Sequence, residues 1–436
     1  MTPSLQLPVP SGGSEPDPDE LARRPWIVVG DAHLHAQGDE AVASDLARLI
    51  RSVPGEAVVV FNGDLFNLDR VRGEPSAGVG ANHAVDRVRR VLDRFSGLEV
   101  AMREHVARGG LLLFVAGNHD AELLLPEVGC VLSERLGGTE SPRRVFCVER
   151  LEAASIAVEH GHQVDPDAAF FPTMQSAVAK QRLSAMPLAS LMTRLFVSNH
   201  PSYEAATLHY ETPLVVLRAV LHSYKLAGLW MTLAYPFVAA RVAWHSLLGT
   251  LRRDVPANPS PVTMSSPWKV VRRLYLDRYM ATVAALASAS AIALCGLRSG
   301  LWWLPAVLTA YLIIPPMGRR AAYGERDLRS AAQQATHIAE LGARVVVFGH
   351  THRAFVQSIG AASYANHGAF SIPVEIDDAG RVCGDGRPAS DRVDPSRRAR
   401  PYLTISFGPV ACELRGLPVS EAGKPSAAGV ARGTTS

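Results

Sequence analysis

Five short apolar runs punctuate the chain, and each stops at a polar cluster: WIVVG before Asp31, AVVVFNG before Asp64, LLLFVAGN before His119, ASIAVE before His160 and RVVVFG before His350. Runs this short, β-branched or Leu-rich and without alternation, suit strands buried on both faces. Between the first three lie DEAVASDLARLIRSV and HAVDRVRRVLDRFSGLEVAMREHVARG, whose apolar residues recur near a 3.6 period and predict amphipathic helices. Strand, helix, strand is the βαβ pattern of an α/β fold. In such sheets ligand groups gather beyond the carboxyl ends of the strands, where each polar cluster falls.

The stretch from about 166 to 329 breaks this pattern. ATVAALASASAIALCGL at 281–297 and LWWLPAVLTAYLIIPP at 301–316 flank the turn Arg298, Ser299, Gly300, each a little short of the roughly 20 residues a spanning helix needs. Together they predict a hairpin of transmembrane or membrane-associated helices. Lys269, Arg272, Arg273 and Arg278 precede it and Arg319, Arg320 and Arg326 follow it, so the positive-inside tendency puts both ends on the cytoplasmic side. The apolar stretch at 213–249 carries Arg218, Lys225 and Arg241, which favours an interfacial amphipathic helix over a span. A soluble helical cap with an apolar core is the competing expectation for the whole region.

The predicted organisation is a leader at 1–24, rich in Pro, Gly, Ser and acid, the first part of the α/β domain at 25–165, the helical insertion at 166–329, the second part of that domain at 330–412 and a polar tail at 413–436. Leader and tail are expected to be disordered. The leader has neither a basic n-region nor an apolar h-region, so secretion is not expected. Among the 436 residues, 44 basic and 41 acidic side chains leave a formal charge of +3, which gives no support to an extended nucleic-acid-binding face. Five scattered cysteines with no CxxC pair argue against a disulfide scaffold and a thiolate zinc site, and fit a reducing compartment.

Taken in order, the strand ends supply Asp31-Ala-His33, Gly63-Asp64, Gly117-Asn118-His119-Asp120, His160-Gly161-His162 and Gly349-His350-Thr351-His352. Each fragment alone is weak; Asn-His-Asp, for instance, would serve equally as a cap for a helix beginning AELL. As a set, oxygen and imidazole donors without thiolate suit divalent manganese, iron, zinc or cobalt. GDAHLH, NGDLFN, AGNHD, EHGH and FGHTH together resemble, in order, the motif series of the calcineurin-like metallophosphoesterase superfamily, over about 26–165 and 340–412.

The resemblance implies a four-layer α/β/β/α sandwich with two divalent ions, manganese foremost. Asp31, His33, Asp64 and His352 would hold one ion and Asp64, Asn118, His160 and His350 the other, with Asp64 bridging. A hydroxide between the ions would be the nucleophile, and His119 would face the phosphoryl group as general acid or charge stabiliser. Many members carry a carboxylate three positions beyond the bridging Asp to orient this histidine. Here that position is Asn67, so Asp69 or Asp120 is the candidate substitute. His162 is expected to contact substrate or support the site from behind, His35 to line its mouth, and Asn366 and His367 to be structural.

GDLF and the His-Gly fourth motif are most similar to the branch that includes UDP-2,3-diacylglucosamine pyrophosphohydrolases. The function this implies is hydrolysis of a phosphomonoester, phosphodiester or pyrophosphate, lipid-linked, at the cytoplasmic face of a membrane. A nucleotide or nucleic-acid phosphodiesterase is the alternative, and would call for a basic cleft with aromatics. A non-catalytic membrane-anchored scaffold is the second alternative, which a complete ligand set with an unliganded His119 disfavours.

Overall fold

The structure is a computed structural model. It describes residues 18–70, 79–137, 144–198, 213–252 and 323–420, with short gaps at 154, 166, 171–172, 197, 384–388, 390–392 and 408–409, and the isolated residues 274, 276 and 290. The hairpin expected at 281–316 lies outside the described residues, Ser290 apart. The chain divides into two compact units, one of 1–68, 81–161 and 335–436, the other of 69–80 and 162–334.

The first unit is mixed α/β with two sheets. β1 (Trp26–Val29), β2 (Val58–Asn62) and β3 (Leu111–Val115) come from the first three apolar runs and pair in parallel, in register Val28 with Val60 and Val60 with Leu113. Every residue of all three is buried, as expected for strands without alternation. The helices between them are α2 (Glu40–Ser52), then α3 (Ala81–Arg94) and α4 (Ser96–Ala107), which replace one long predicted helix and meet at Phe95. β4 (Val145–Val148) extends the sheet beside β3. On the other edge lie β10 (Val374–Glu375), β11 (Arg398–Ser406) and β12 (Ala411–Pro418), with β11 antiparallel to β1.

The second sheet runs β5 (Leu151–Ala153), β6 (Ile156–Val158), β7 (Val345–Phe348), β9 (Ala362–His367), β8 (Ala354–Ile359). β6 and β7 are the fourth and fifth apolar runs and pair in parallel although nearly two hundred residues separate them. Trp26, Val28, Val58, Val60 and Leu113 from one sheet and Ile156, Val158, Val345 and Val347 from the other form a single apolar core. Full burial of each such side chain contributes about 1.5–3 kcal/mol.

Two boundaries differ from expectation. Residues 18–22 of the leader form a short helix, α1 (Pro18–Ala22), whose Leu21 enters the core and whose neighbour Trp26 donates its indole N–H to the Leu21 carbonyl. The tail begins later than 413, because β12 continues to Pro418 along β11.

The second unit holds the short helices α6 (Met174–Ala179) and α7 (Leu188–Leu195) and the 39-residue α8 (Pro213–Leu251). Asp69 and Arg194 are buried there as an ion pair at 2.5 Å, with Ser198 donating to the Asp69 carbonyl. Among the described residues no helix is both long and apolar enough to cross a membrane.

Candidate metal centre

All five motif clusters stand at carboxyl ends of strands: Asp31 and His33 after β1, Asp64 after β2, Asn118 and His119 after β3, His160 after β6, His350 and His352 after β7. The loops are laced to one another by backbone hydrogen bonds. Asp31 N donates to Gly63 O, His33 N to Asp64 O, Gly349 N to His160 O and Leu68 N to His119 O, all at 2.9–3.0 Å.

Local backbone geometry singles out the same residues. Among the described residues seven non-glycine positions adopt a left-handed φ, and five of them are Asp31, His33, Asp64, His350 and His352. Such a conformation costs about 1–2 kcal/mol in a residue with a Cβ and persists where the surrounding structure over-determines it, typically at functional sites. Between two of these loops Gly63, at φ +77°, packs so tightly on His160 that an added Cβ would lie 2.1 Å from its Nδ1.

The donor atoms converge. His33 Nε2 and His352 Nε2 are 3.2 Å apart, and Asp31 Oδ1 lies 3.2 Å from the latter and 3.7 Å from the former. The centre of that triangle is about 2 Å from each corner, the bond length of a divalent transition ion to imidazole nitrogen or carboxylate oxygen. Asp31, Asp64 and His160 make a second such group, with His160 Nε2 at 3.3 Å from Asp64 Oδ2 and 4.0 Å from Asp31 Oδ1. Despite these approaches, Asp31 Oδ1 and Asp64 Oδ2 are buried and accept no hydrogen bond of acceptable geometry, so their lone pairs suit a cation. The buried Asn118 and the His350 ring, 5.4 Å from that of His160, belong to the same unit. These residues fit one or more divalent ions.

Electrostatics point the same way. Burial alone would raise the Asp31 and Asp64 carboxyls, yet His160 and, in turn, His352 and His119 hold both well below the usual range. Burial drives His33 down to about 3, opposed by Asp64 and reinforced by His352 and His119, so it is neutral with a lone pair to give. His160 goes the other way: burial disfavours its charge, but Asp64 and Asp31 overcome this and raise it to about 10. Its Nδ1 lies 3.0 Å from the Asn62 carbonyl. A carbonyl only accepts, so Nδ1 carries a proton in either charge state and Nε2, facing the carboxylates, is the nitrogen that would release its proton to an ion, the usual means of fixing a ligand histidine.

His119 is partly exposed, its ring 5.4 Å from that of His33, and its backbone N–H donates to Asp64 Oδ1 at 2.8 Å. The two carboxylates offered as its orienting partner are engaged elsewhere. Asp120 Oδ1 accepts from Asp64 N at 3.2 Å and Gly117 N at 2.7 Å, and Oδ2 from Phe66 N at 3.2 Å. It therefore clamps the second and third motif loops from behind. Nor does its side chain cap a helix: AELL is a 3-10 turn, and the Asp120 carboxylate makes no capping bond to it. Burial and the Asp64 charge push its carboxyl up to about 7. Asp69 pairs with Arg194. Asn67 donates its backbone N–H to Leu34 O, and its Oδ1 is buried without a hydrogen bond.

His162 is buried and turned edge-on to Phe170 at 5.9 Å. His35 accepts from Gln37 N through Nδ1 and forms part of a local turn. Asn366 donates to Gly349 O and Thr351 Oγ1, pinning the fifth motif loop. His367 is closer to the centre than sequence suggested. Fully buried, it lies with Nδ1 3.9 Å from Asp31 Oδ2, and its ring fills the space that a Cβ at Gly30 or Gly349 would need. Its only sequence signal was the Asn-His-Gly turn ending a strand.

Comparison with protein-family models and with curated proteins finds no match.

Proposed function

We propose that the protein is a two-metal phosphoesterase, similar to the calcineurin-like metallophosphoesterases, that hydrolyses a phosphomonoester, phosphodiester or pyrophosphate of a lipid-linked substrate. The observation that carries this reading is the convergence of Asp31, His33 and His352 donor atoms, 3.2–3.7 Å apart, from strand ends held in left-handed backbone. In it, Asp31, His33, Asp64 and His352 would hold one ion and Asp64, Asn118, His160 and His350 the other. Bound there, the ions would lower the pKa of water and neutralise phosphoryl oxygens.

The chain's own residues do the rest. Asn62 fixes His160 by accepting a hydrogen bond from Nδ1 through its carbonyl, which aims Nε2 at the carboxylates. Asp120 and the His119 backbone N–H hold the bridging Asp64 from two sides. His119, the partly exposed member, delivers a proton to the leaving oxygen. The two sheets would form the inner layers of a four-layer α/β/β/α order, with 166–329 as a helical, apolar insertion on the cytoplasmic side of a membrane.

The test is turnover of bis-p-nitrophenyl phosphate, p-nitrophenyl phosphate and a lipid pyrophosphate with Mn, Mg, Zn or no added metal. Metal-dependent hydrolysis that Asp64→Ala abolishes is expected. Two ions bound per chain with no turnover of any of the three would overturn the reading.

A further inference from the structure

Helix α8 is inside out. Among the described residues of this helix those that are buried are small: Gly228, Ala239, Val242 and Gly249. Tyr235 lies edge-on to Phe196 at 5.8 Å and donates its hydroxyl to Leu274 O, and Gly249 packs so closely that a Cβ would meet Ser184 O at 2.2 Å. Five large apolar residues point outward. Leu226 is 78% exposed, Trp230 72%, Leu233 47%, Phe237 79% and Trp244 56%. At 3.6 residues per turn these five fall within an arc of about 60°, opposite the buried set, along roughly 27 Å of helix. A soluble helix shows the reverse, with its apolar stripe toward the core.

We propose that this stripe is a docking surface for an anionic phospholipid bilayer, lying in the headgroup region parallel to the membrane plane. Charge selects the occupant. From 213 to 253 the sequence holds Arg218, Lys225, Arg241, Arg252 and Arg253 and no Asp or Glu, in a chain with 41 acidic residues. Arg241 and Arg252 are exposed and stand on one shoulder of the stripe, as in helices that lie on anionic membranes with aromatic and Leu residues immersed by about 5–10 Å. Trp suits that depth because its ring is apolar while its N–H stays wet. Shape argues against a second copy of the chain. One helix face about 10 Å wide and roughly 27 Å long offers on the order of 270 Å², far below the roughly 800 Å² per partner of a stable protein interface. The helix lies on the bilayer and does not cross it, since no described helix is long and apolar enough to span. The inference rests on this helix alone and stands or falls separately from the hydrolytic reading.

The experiment is flotation of the purified full chain with vesicles of phosphatidylcholine, with and without phosphatidylglycerol. The wild type is expected to float with the anionic vesicles. Trp230→Glu/Phe237→Glu should lower the bound fraction at least about tenfold, by placing charge where apolar contact was. Arg241→Glu/Arg252→Glu should remove the preference for anionic over neutral vesicles. Because all four positions are exposed, thermal unfolding of both variants should match the wild type, which separates lost docking from lost folding. Wild type that stays with neither vesicle overturns the proposal. So does a Trp230→Glu/Phe237→Glu variant that floats like wild type, or a wild-type dimer in light scattering that the same variant turns into a monomer. Failure of the hydrolytic reading would instead appear as absent turnover in a protein that still floats.

Discussion

Replacing Gly117 by alanine adds one methyl group, and the structure places that methyl against the carboxylate assigned to bridge the ions. The added Cβ would lie 2.2 Å from Asp64 Oδ1, 2.4 Å from Asp64 N and 2.9 Å from Asp64 Cγ, where ordinary contact begins at 3.4 Å. Relief requires a displacement of about 1 Å, and Asp64 is poorly placed to supply it. Its Oδ1 accepts from His119 N at 2.8 Å, while its own N–H and that of Gly117 both donate to Asp120 Oδ1. The shift must therefore move the Asn118–His119 loop, the bridging carboxylate, or both. A misplacement of about 1 Å in a catalytic constellation costs on the order of 100-fold in rate, and overpacking of this kind destabilises by about 1–3 kcal/mol.

Gly117 does not occupy the left-handed region, so the expected loss is steric and not a matter of backbone strain. Gly129, within α5 (Pro126–Leu132), supplies the control, because nothing lies within 4 Å of its added Cβ. Gly129→Ala should leave turnover unchanged and stabilise by about 0.5–1 kcal/mol through helix propensity. Bound metal by mass spectrometry, thermal unfolding and turnover of bis-p-nitrophenyl phosphate give the three readouts. Gly117→Ala with its full complement of ions and turnover within about twofold of wild type would refute the reasoning, because the 100-fold figure follows from that displacement.

Three further outcomes are expected. His119→Ala should lower turnover by about 10²–10⁴-fold while leaving metal content unchanged; concurrent loss of metal would make it a ligand instead. Metal affinity should rise with pH, by up to about tenfold per unit, because His160 must give up a proton to bind. Burial opposes that proton but Asp64 and Asp31 hold it to about pH 10, above the ordinary 6.5. The stability it gives the metal-free protein is thus complete below 6.5 and lost as pH rises through about 10, so a pH-independent affinity would contradict the assignment. Arg194→Met should destabilise the second unit, since it removes the guanidinium 2.5 Å from the Asp69 carboxylate, 1% exposed; breaking a buried ion pair costs about 3–5 kcal/mol. Urea unfolding monitored in that unit would test this, and a change under about 1 kcal/mol would mean that water replaces the guanidinium.

The strands that carry the motif residues were legible because their signal is local. β1, β2, β3 and β7 are unbroken apolar runs, and each is buried throughout. β11 and β12 gave no such signal. The segment RARPYLTIS has two arginines in its first half, and only the fold shows that Arg400 is buried, paired at 2.6 Å with Asp45 of α2 and donating to the Phe370 carbonyl. β12 alternates small, charged and apolar residues at the outer edge of the sheet, where a tail was expected. In the same way, Asp120 read as a cap or an orienting carboxylate because sequence cannot tell which amides a side chain will meet. Its three partners come from loops more than fifty residues apart in sequence, and His367 meets Asp31 across more than three hundred.

The left-handed conformations at Asp31, His33, Asp64, His350 and His352 were equally invisible, yet they explain why the motif residues sit where they do. An extended strand sends successive side chains to opposite faces, so a strand end continued in β conformation would point Asp31 and His33 along the same face but no closer to the loops of neighbouring strands. A left-handed residue turns the chain sharply at the strand end. Its cost is offset by fixed anchors on either side: buried apolar strands before it, and loop-to-loop hydrogen bonds such as His33 N to Asp64 O and His350 N to Asp31 Oδ2 after it. None of those anchors is a metal bond. The donor triangle is therefore held by the protein's own hydrogen bonds; what bound ions would contribute is charge, which the two buried carboxylates otherwise obtain from the histidines around them, His160 foremost.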